Sequence, residues 1–143
     1  MNASPKDRVK VVSALILNDR GEMLMTLRRP DARRPSCWEN PGGKVEDGET
    51  DEEALRREMA EELGVTARIG QIVSTARLDL EVTLFMLLYH VIIIGDPKPL
   101  ASEGIAWKLP SQVIVWGSCA PATYLYYRDI ENFLTRKWPA LGA

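Results

Sequence analysis

Apolar and polar positions change rhythm several times along this 143-residue chain, and each change marks an element. Residues 9–17 are mostly apolar and β-branched, which predicts a strand. Asn18-Asp19-Arg20-Gly21 supplies the turn residues that hairpins favour, and residues 22–27 read as the returning strand. Residues 30–36 form a loop rich in Pro and Arg, and Pro41-Gly42-Gly43 is a second strong breaker. The rhythm then becomes helical. Leu55, Met59 and Leu63 recur four apart, Thr50 and Glu53 stand at the N-cap and N3 positions of a capping box, and Gly64 suits the position just past the end. These signals predict a helix over 51–63.

Strands are expected at 67–78 and 82–94. The second is almost continuously apolar, as in a strand covered on both faces. A Pro-containing loop spans 96–104, and 105–108 reads as a short strand. Tyr126, Ile130, Phe133 and Leu134 give the core face of a last helix over 121–137. Strands, helix, strands, helix is the order of an α/β protein with a mixed sheet between helices. There is no internal repeat, low-complexity tract or linker, so residues 1–143 are expected to form a single domain.

Charge sharpens this picture. The net charge is only −2, which gives no reason to expect a duplex nucleic-acid or membrane-surface partner. Its distribution is uneven: residues 43–65 hold nine acids and three bases, so that segment is −6 and the remainder +4. A concentrated acidic element in a mildly basic protein suits metal ions and a polyanionic substrate. Two cysteines make no disulfide framework, and the start has no charged segment leading into an apolar one, so a cytoplasmic setting is expected.

The acidic segment carries the chemistry. On a helix, Glu58, Glu61 and Glu62 fall within an arc of roughly 100°. Like charges three and four apart repel, and hard divalent cations take carboxylate oxygens. The stripe of Leu55, Met59 and Leu63 packs inward, so the Glu58/Glu62 edge beside it should lie at the rim of a cleft.

Spacing then points further. Gly43, five residues, Glu49, seven residues, Arg57-Glu58-Met59, one residue, Glu61-Glu62, one residue, Gly64-Val65 resembles the complete Nudix box, with Pro41-Gly42 before it and Lys44-Val45-Glu46 after Gly43 in the usual context. The resemblance is to MutT-like members, and it implies an α/β/α sandwich. It also implies hydrolysis of a nucleoside diphosphate linked to another group, with Mg²⁺ or, as substitute, Mn²⁺. Glu58, Glu61, Glu62 and the Gly43 carbonyl resemble the metal ligands. Arg57 matches an arginine that orients a glutamate; helix spacing makes its partner Glu61, the resemblance makes it Glu49. Glu103 resembles a downstream loop glutamate that adds a metal ligand and a candidate base, Glu58 being the other candidate.

Arg28 and Lys44 are placed for phosphate, and Arg33 and Arg34 extend the basic loop. Asn40 either faces a base pocket or caps a turn, and Trp38 is one of several aromatics able to stack on a base. The asparagine that reads an oxidised guanine in MutT-type members has no counterpart in residues 118–124. The expected reaction is Mg²⁺-dependent hydrolysis of a (deoxy)nucleoside triphosphate to monophosphate and pyrophosphate. The alternatives are a nucleotide sugar, an RNA 5′ end, a dinucleoside polyphosphate, or a nucleotide-binding module without turnover. The family also leaves room for a homodimer.

Overall fold

A computed structural model describes residues 7–32, 37–116 and 121–137, without the side chains of 114–116 and 137. Seven strands and three helices follow in the order β1 (Arg8–Leu15), β2 (Met23–Leu27), β3 (Trp38–Glu39), β4 (Gly42–Lys44), α1 (Asp51–Leu63), β5 (Thr66–Asp79), β6 (Thr83–Ile94), β7 (Gly104–Lys108), α2 (Pro110–Trp116) and α3 (Pro121–Lys137).

The strands form two sheets, ordered β4-β1-β6-β5 and β3-β2-β7. The first is mixed: β1 pairs with β6 in parallel and with β4 antiparallel, and β5 pairs with β6 antiparallel. The second is antiparallel throughout. Alternation along the central strands sorts side chains to two cores. Val12, Ala14 and Val91 join Ala54, Leu55, Met59 and Leu63 of α1. Leu15, Met86 and Leu88 join Tyr126, Ile130 and Phe133 of α3. The mixed sheet therefore lies between α1 and α3, and β6 is covered on both faces as its sequence predicts. No described helix is long and apolar enough to cross a membrane.

Helix α1 has the predicted ends. Thr50 Oγ1 accepts from Glu53 N at 3.1 Å, and Glu53 Oε1 accepts from Thr50 N at 3.1 Å. Gly64 closes the helix at φ 68°, a conformation that costs glycine little. The loop after β6 finishes the job: Lys98 N and Leu100 N donate to the Leu63 and Glu62 carbonyls, which lie past the reach of the helix's own ladder. Its N-terminal turn is pinned to the sheet by Asp51, which takes Tyr89 Oη at 2.6 Å and Lys10 Nζ at 2.9 Å.

The structure departs from expectation in three places. Strands β3 and β4 occupy ground read only as loop and breaker. Gly42-Gly43 does not end a strand but begins one: a Cβ on Gly42 would lie 2.1 Å from the Val12 carbonyl oxygen, so only glycine lets β4 pass this close to β1. Helix α2 was not expected either. Arg33, Arg34 and residues 118–120 lie outside the described residues.

Candidate active site

Strand β4 places the glycines against the glutamate edge of α1. Glu62 Oε2 accepts from Gly42 N at 2.9 Å. A Cβ on Gly43 would sit 2.4 Å from Glu58 Oε1, so the missing side chain makes room for that carboxylate. Thus Glu58 and Glu62 turn toward the Gly42–Gly43 backbone, one helical turn apart.

Arg57 organises the outer side. Its Nε and Nη2 grip Glu49 at 2.7 and 2.9 Å in a two-point pair. Nη2 also donates to the Lys44 carbonyl at 3.0 Å, tying the helix to β4. Nη1 reaches Glu58 at 2.9 Å and Glu61 at 3.3 Å. Both partners named in the sequence reading are therefore engaged at once. The hydrogen bonds from Arg57, with help from the Glu46 backbone, hold the Glu49 carboxyl down at about 2. The Arg57 guanidinium is pushed upward in turn, chiefly by Glu49.

Glu62 is the opposite case. Burial, followed by the charge of Glu58, pushes its carboxyl up to about 8, and the Gly42 N–H only partly offsets this. Glu39 and Glu61 add to the repulsion. Among the described residues no three acidic side chains have closed into a ready cation cage; Arg57 Nη1 holds Glu61 at 3.3 Å. Still, the donor set suits a hard divalent cation. It consists of carboxylate oxygens beside a half-buried glycine backbone, and Glu62 is in no ion pair among the described residues.

Below the carboxylates lies a cavity of about 550 Å³. Lys44, Arg28, Glu39 and Asn40 line it, with Thr123 and Tyr126 of α3 opposite. Strand β4 is the shared wall, with Gly43 toward Glu58 and Lys44 toward the cavity. Arg28 stands in this cavity, but its Nη1 faces Glu39 at 3.2 Å, while its buried Nε has no hydrogen-bond partner among the described residues. Asn40 does not cap a turn: it is 7 % exposed, and its Oδ1 accepts from Thr123 Oγ1 at 3.4 Å. Trp38 packs against the α3-side core and is not among the cavity's lining residues. Glu103 is exposed, and its backbone N–H donates to the Leu27 carbonyl at 2.9 Å, beside Arg28. Its carboxylate meets neither the α1 glutamates nor a cation within bonding distance among the described residues.

Glu39 and Thr123 escaped the sequence reading. Glu39 sits between the two halves of the site, close enough to Glu62 to raise it. Burial pushes its own carboxyl above the usual range, although Arg28 pulls the other way. Its position directly before Asn40 was the available signal. Thr123 becomes visible only when α3 is folded over β3.

Helices on both faces of a mixed sheet, with a glutamate edge held against a glycine strand, define an α/β/α sandwich with a hard-oxygen site. The profile described as "NUDIX domain" matches residues 7–113, and the chain belongs to this family of hydrolases. It is 32% identical over 119 residues to CTP pyrophosphohydrolase of Escherichia coli (strain K12), covering 83% of this chain and 81% of that protein. It is 28% identical over 99 residues to an 8-oxo-dGTP diphosphatase of Haemophilus influenzae, covering 69% and 73%. The solution structure of the E. coli ORF135 protein superimposes with a TM-score of 0.82 at 26% identity, covering 93% of this chain and 95% of that one. A MutT protein from Methanosarcina mazei Go1 shares the fold with a TM-score of 0.80 at 24% identity, covering 95% and 99%.

Proposed function

We propose that this chain is a Mg²⁺-dependent pyrophosphohydrolase of a (deoxy)nucleoside triphosphate, with Mn²⁺ as a substitute, releasing the monophosphate and pyrophosphate. One observation carries the reading. The Glu58/Glu62 edge, held against the Gly42–Gly43 backbone, shares strand β4 with a cavity of about 550 Å³ lined by Lys44 and Arg28. The names of relatives that act on CTP and 8-oxo-dGTP support the same substrate class.

Glu58, Glu61, Glu62 and the Gly43 carbonyl would hold the metal. A bound divalent ion supplies charge neutralisation at the phosphates and Lewis acidity. The residues do the rest. Lys44 and Arg28 orient the phosphate chain, and the cavity holds the nucleoside, so positioning accounts for much of the acceleration. Water adds across the α–β anhydride. Its oxygen joins one phosphorus, the bridging oxygen leaves on the other, and one water proton passes to a carboxylate. Glu58 and Glu103 are the two acceptors available. Arg57 Nη1 already holds Glu58, whereas Glu103 is exposed and in no ion pair among the described residues.

The test is release of pyrophosphate from a panel of nucleotides with Mg²⁺. Turnover of at least one triphosphate to its monophosphate is expected, with loss in Glu61→Gln and Glu62→Gln. A protein that turns over no diphosphate-containing nucleotide, or whose Gln variants keep full activity, sinks the reading. Glu103→Gln separates the two proton acceptors. If Glu103 takes the proton, kcat falls on the order of 10²-fold while the Mg²⁺ concentration for half-maximal activity stays put. An unchanged kcat assigns the proton to Glu58.

A further inference from the structure

The cavity has a floor and a polar rim of different character. Leu78, Leu84 and Met86 give it an apolar surface. Glu39 is the one carboxylate beside Asn40 on the β3 wall. Among the described residues its oxygens meet a single donor, Arg28 Nη1, at 3.2 and 3.5 Å. Charge-assisted bonds normally run near 2.8 Å, so this pair is loose. A carboxylate offers about four lone-pair sites, so most of the acceptor capacity of Glu39 is unused. Its side chain remains 32% exposed while lining the cavity.

The neighbours are matched to a different role. Thr123 occupies Asn40 Oδ1, while among the described residues Asn40 Nδ2 touches only Met23 Sδ at 3.9 Å, a weak acceptor. Tyr126 Oη is buried beside Ser13 and completes no hydrogen bond among the described residues. The rim thus presents an ionisable acceptor next to free donors. A group placed against Glu39 must donate; a keto oxygen there would face a carboxylate with no proton between them.

We infer that Glu39 determines base specificity by accepting a hydrogen bond from an exocyclic amino group of the substrate. This rests on the triphosphate reading above and adds a substrate class to it: bases that carry an amino group, against their keto counterparts. The physical warrant is the asymmetry of buried polar groups. A matched donor gains one charge-assisted bond, and a mismatched keto group leaves the carboxylate desolvated and opposed.

The experiment compares kcat/KM for bases that differ in their amino group: CTP with UTP, and ATP and GTP with ITP. The same pairs are run with Glu39→Gln, whose side-chain amide offers both an oxygen and an NH₂. Wild type should favour the amino member of at least one pair by roughly tenfold to hundredfold, and Glu39→Gln should shrink that preference to within about threefold. No preference in any pair, or a drop of equal size for both members in Glu39→Gln, overturns the inference; the equal drop would mean that Glu39 only positions Arg28. If wild type hydrolyses none of these triphosphates, the functional reading fails by itself. The base preference is then read from the dissociation constants of CMP, UMP, AMP, GMP and IMP, where the same ratios and the same variant decide.

Discussion

The carboxylate edge and the cavity share strand β4, yet they are built in opposite ways. The edge is local in sequence: Gly42, Gly43, Glu49, Arg57, Glu58, Glu61 and Glu62 lie within 21 positions, and one helix with one short strand brings them together. The cavity is assembled from β1, β3, β4, β5, β6 and α3, and its residues run from Val11 to Tyr126. The difference teaches where each kind of information resides. Reaction chemistry needs a fixed spacing of like groups, which a helix delivers by itself. Selectivity needs an enclosure, which only the tertiary fold delivers. Mutations on the edge should therefore lower turnover of every substrate alike, and mutations in the cavity should change substrates unequally.

The largest effect is expected from Glu62→Gln. The amide keeps an oxygen for the Gly42 N–H, so the fold is retained, but the charge that a divalent cation would meet is lost. Activity should fall on the order of 10²- to 10³-fold for every nucleotide that the wild type uses. A loss confined to one base would break the comparison at its strongest point.

How far the sequence could be read follows the same division. Helix α1 and its caps are legible because capping box, apolar stripe and closing glycine all lie within fifteen residues. Strands β3 and β4 are not, because two or three residues have no periodicity and their existence depends on pairing with β2 and β1. Helix α2 left a weak trace: Pro110 at its first position, and Gln112 Oε1 accepting from Leu109 N at 2.8 Å. Glu39 could be seen as a residue but not as part of a site, since its meaning depends on Arg28 and Glu62 arriving from elsewhere. The partners of Arg57 show the limit at atomic scale. Helix spacing finds Glu61 and family resemblance finds Glu49, and only the folded structure shows both held by one guanidinium.

A smaller loss should follow Arg57→Lys. Lysine keeps the charge but cannot grip Glu49 at two points while reaching Glu58, Glu61 and the Lys44 carbonyl. Residues that orient ligands in this way typically cost 10- to 100-fold on removal, so activity should fall by roughly that factor. Base preference should stay unchanged, which steady-state kinetics on two triphosphates would check. A shift in preference would mean that the edge and the cavity are not separable.

The same clamp gives a pH signature. The Glu49 carboxyl lies at about 2 in the fold against 4.5 when free. A depressed carboxylate contributes stability that is present above its free value and is lost as pH falls through its folded value. Thermal unfolding measured from pH 6 downward should therefore lose this contribution between about 4.5 and 2, and Glu49→Gln should flatten that part of the curve. Identical acid limbs in the two proteins would show that Arg57 does not hold Glu49 in solution.

The smallest effect separates the cavity from the core that supports it. Burial pushes the Tyr126 hydroxyl well above its ordinary pKa; Ser13 beside it pulls the other way but completes no hydrogen bond. The ring, 1 % exposed, belongs to the α3-side core, and the oxygen belongs to the cavity. Removing a hydroxyl that lacks a protein partner should cost the fold less than about 1 kcal/mol. Tyr126→Phe should thus unfold within a few degrees of wild type. If the hydroxyl meets the nucleotide, KM should rise about threefold to tenfold at unchanged kcat, the pattern of binding lost equally from substrate and transition state. A marked drop in melting temperature would place Tyr126 Oη within the structural network. An unchanged KM would place the base elsewhere in the cavity, out of reach of α3.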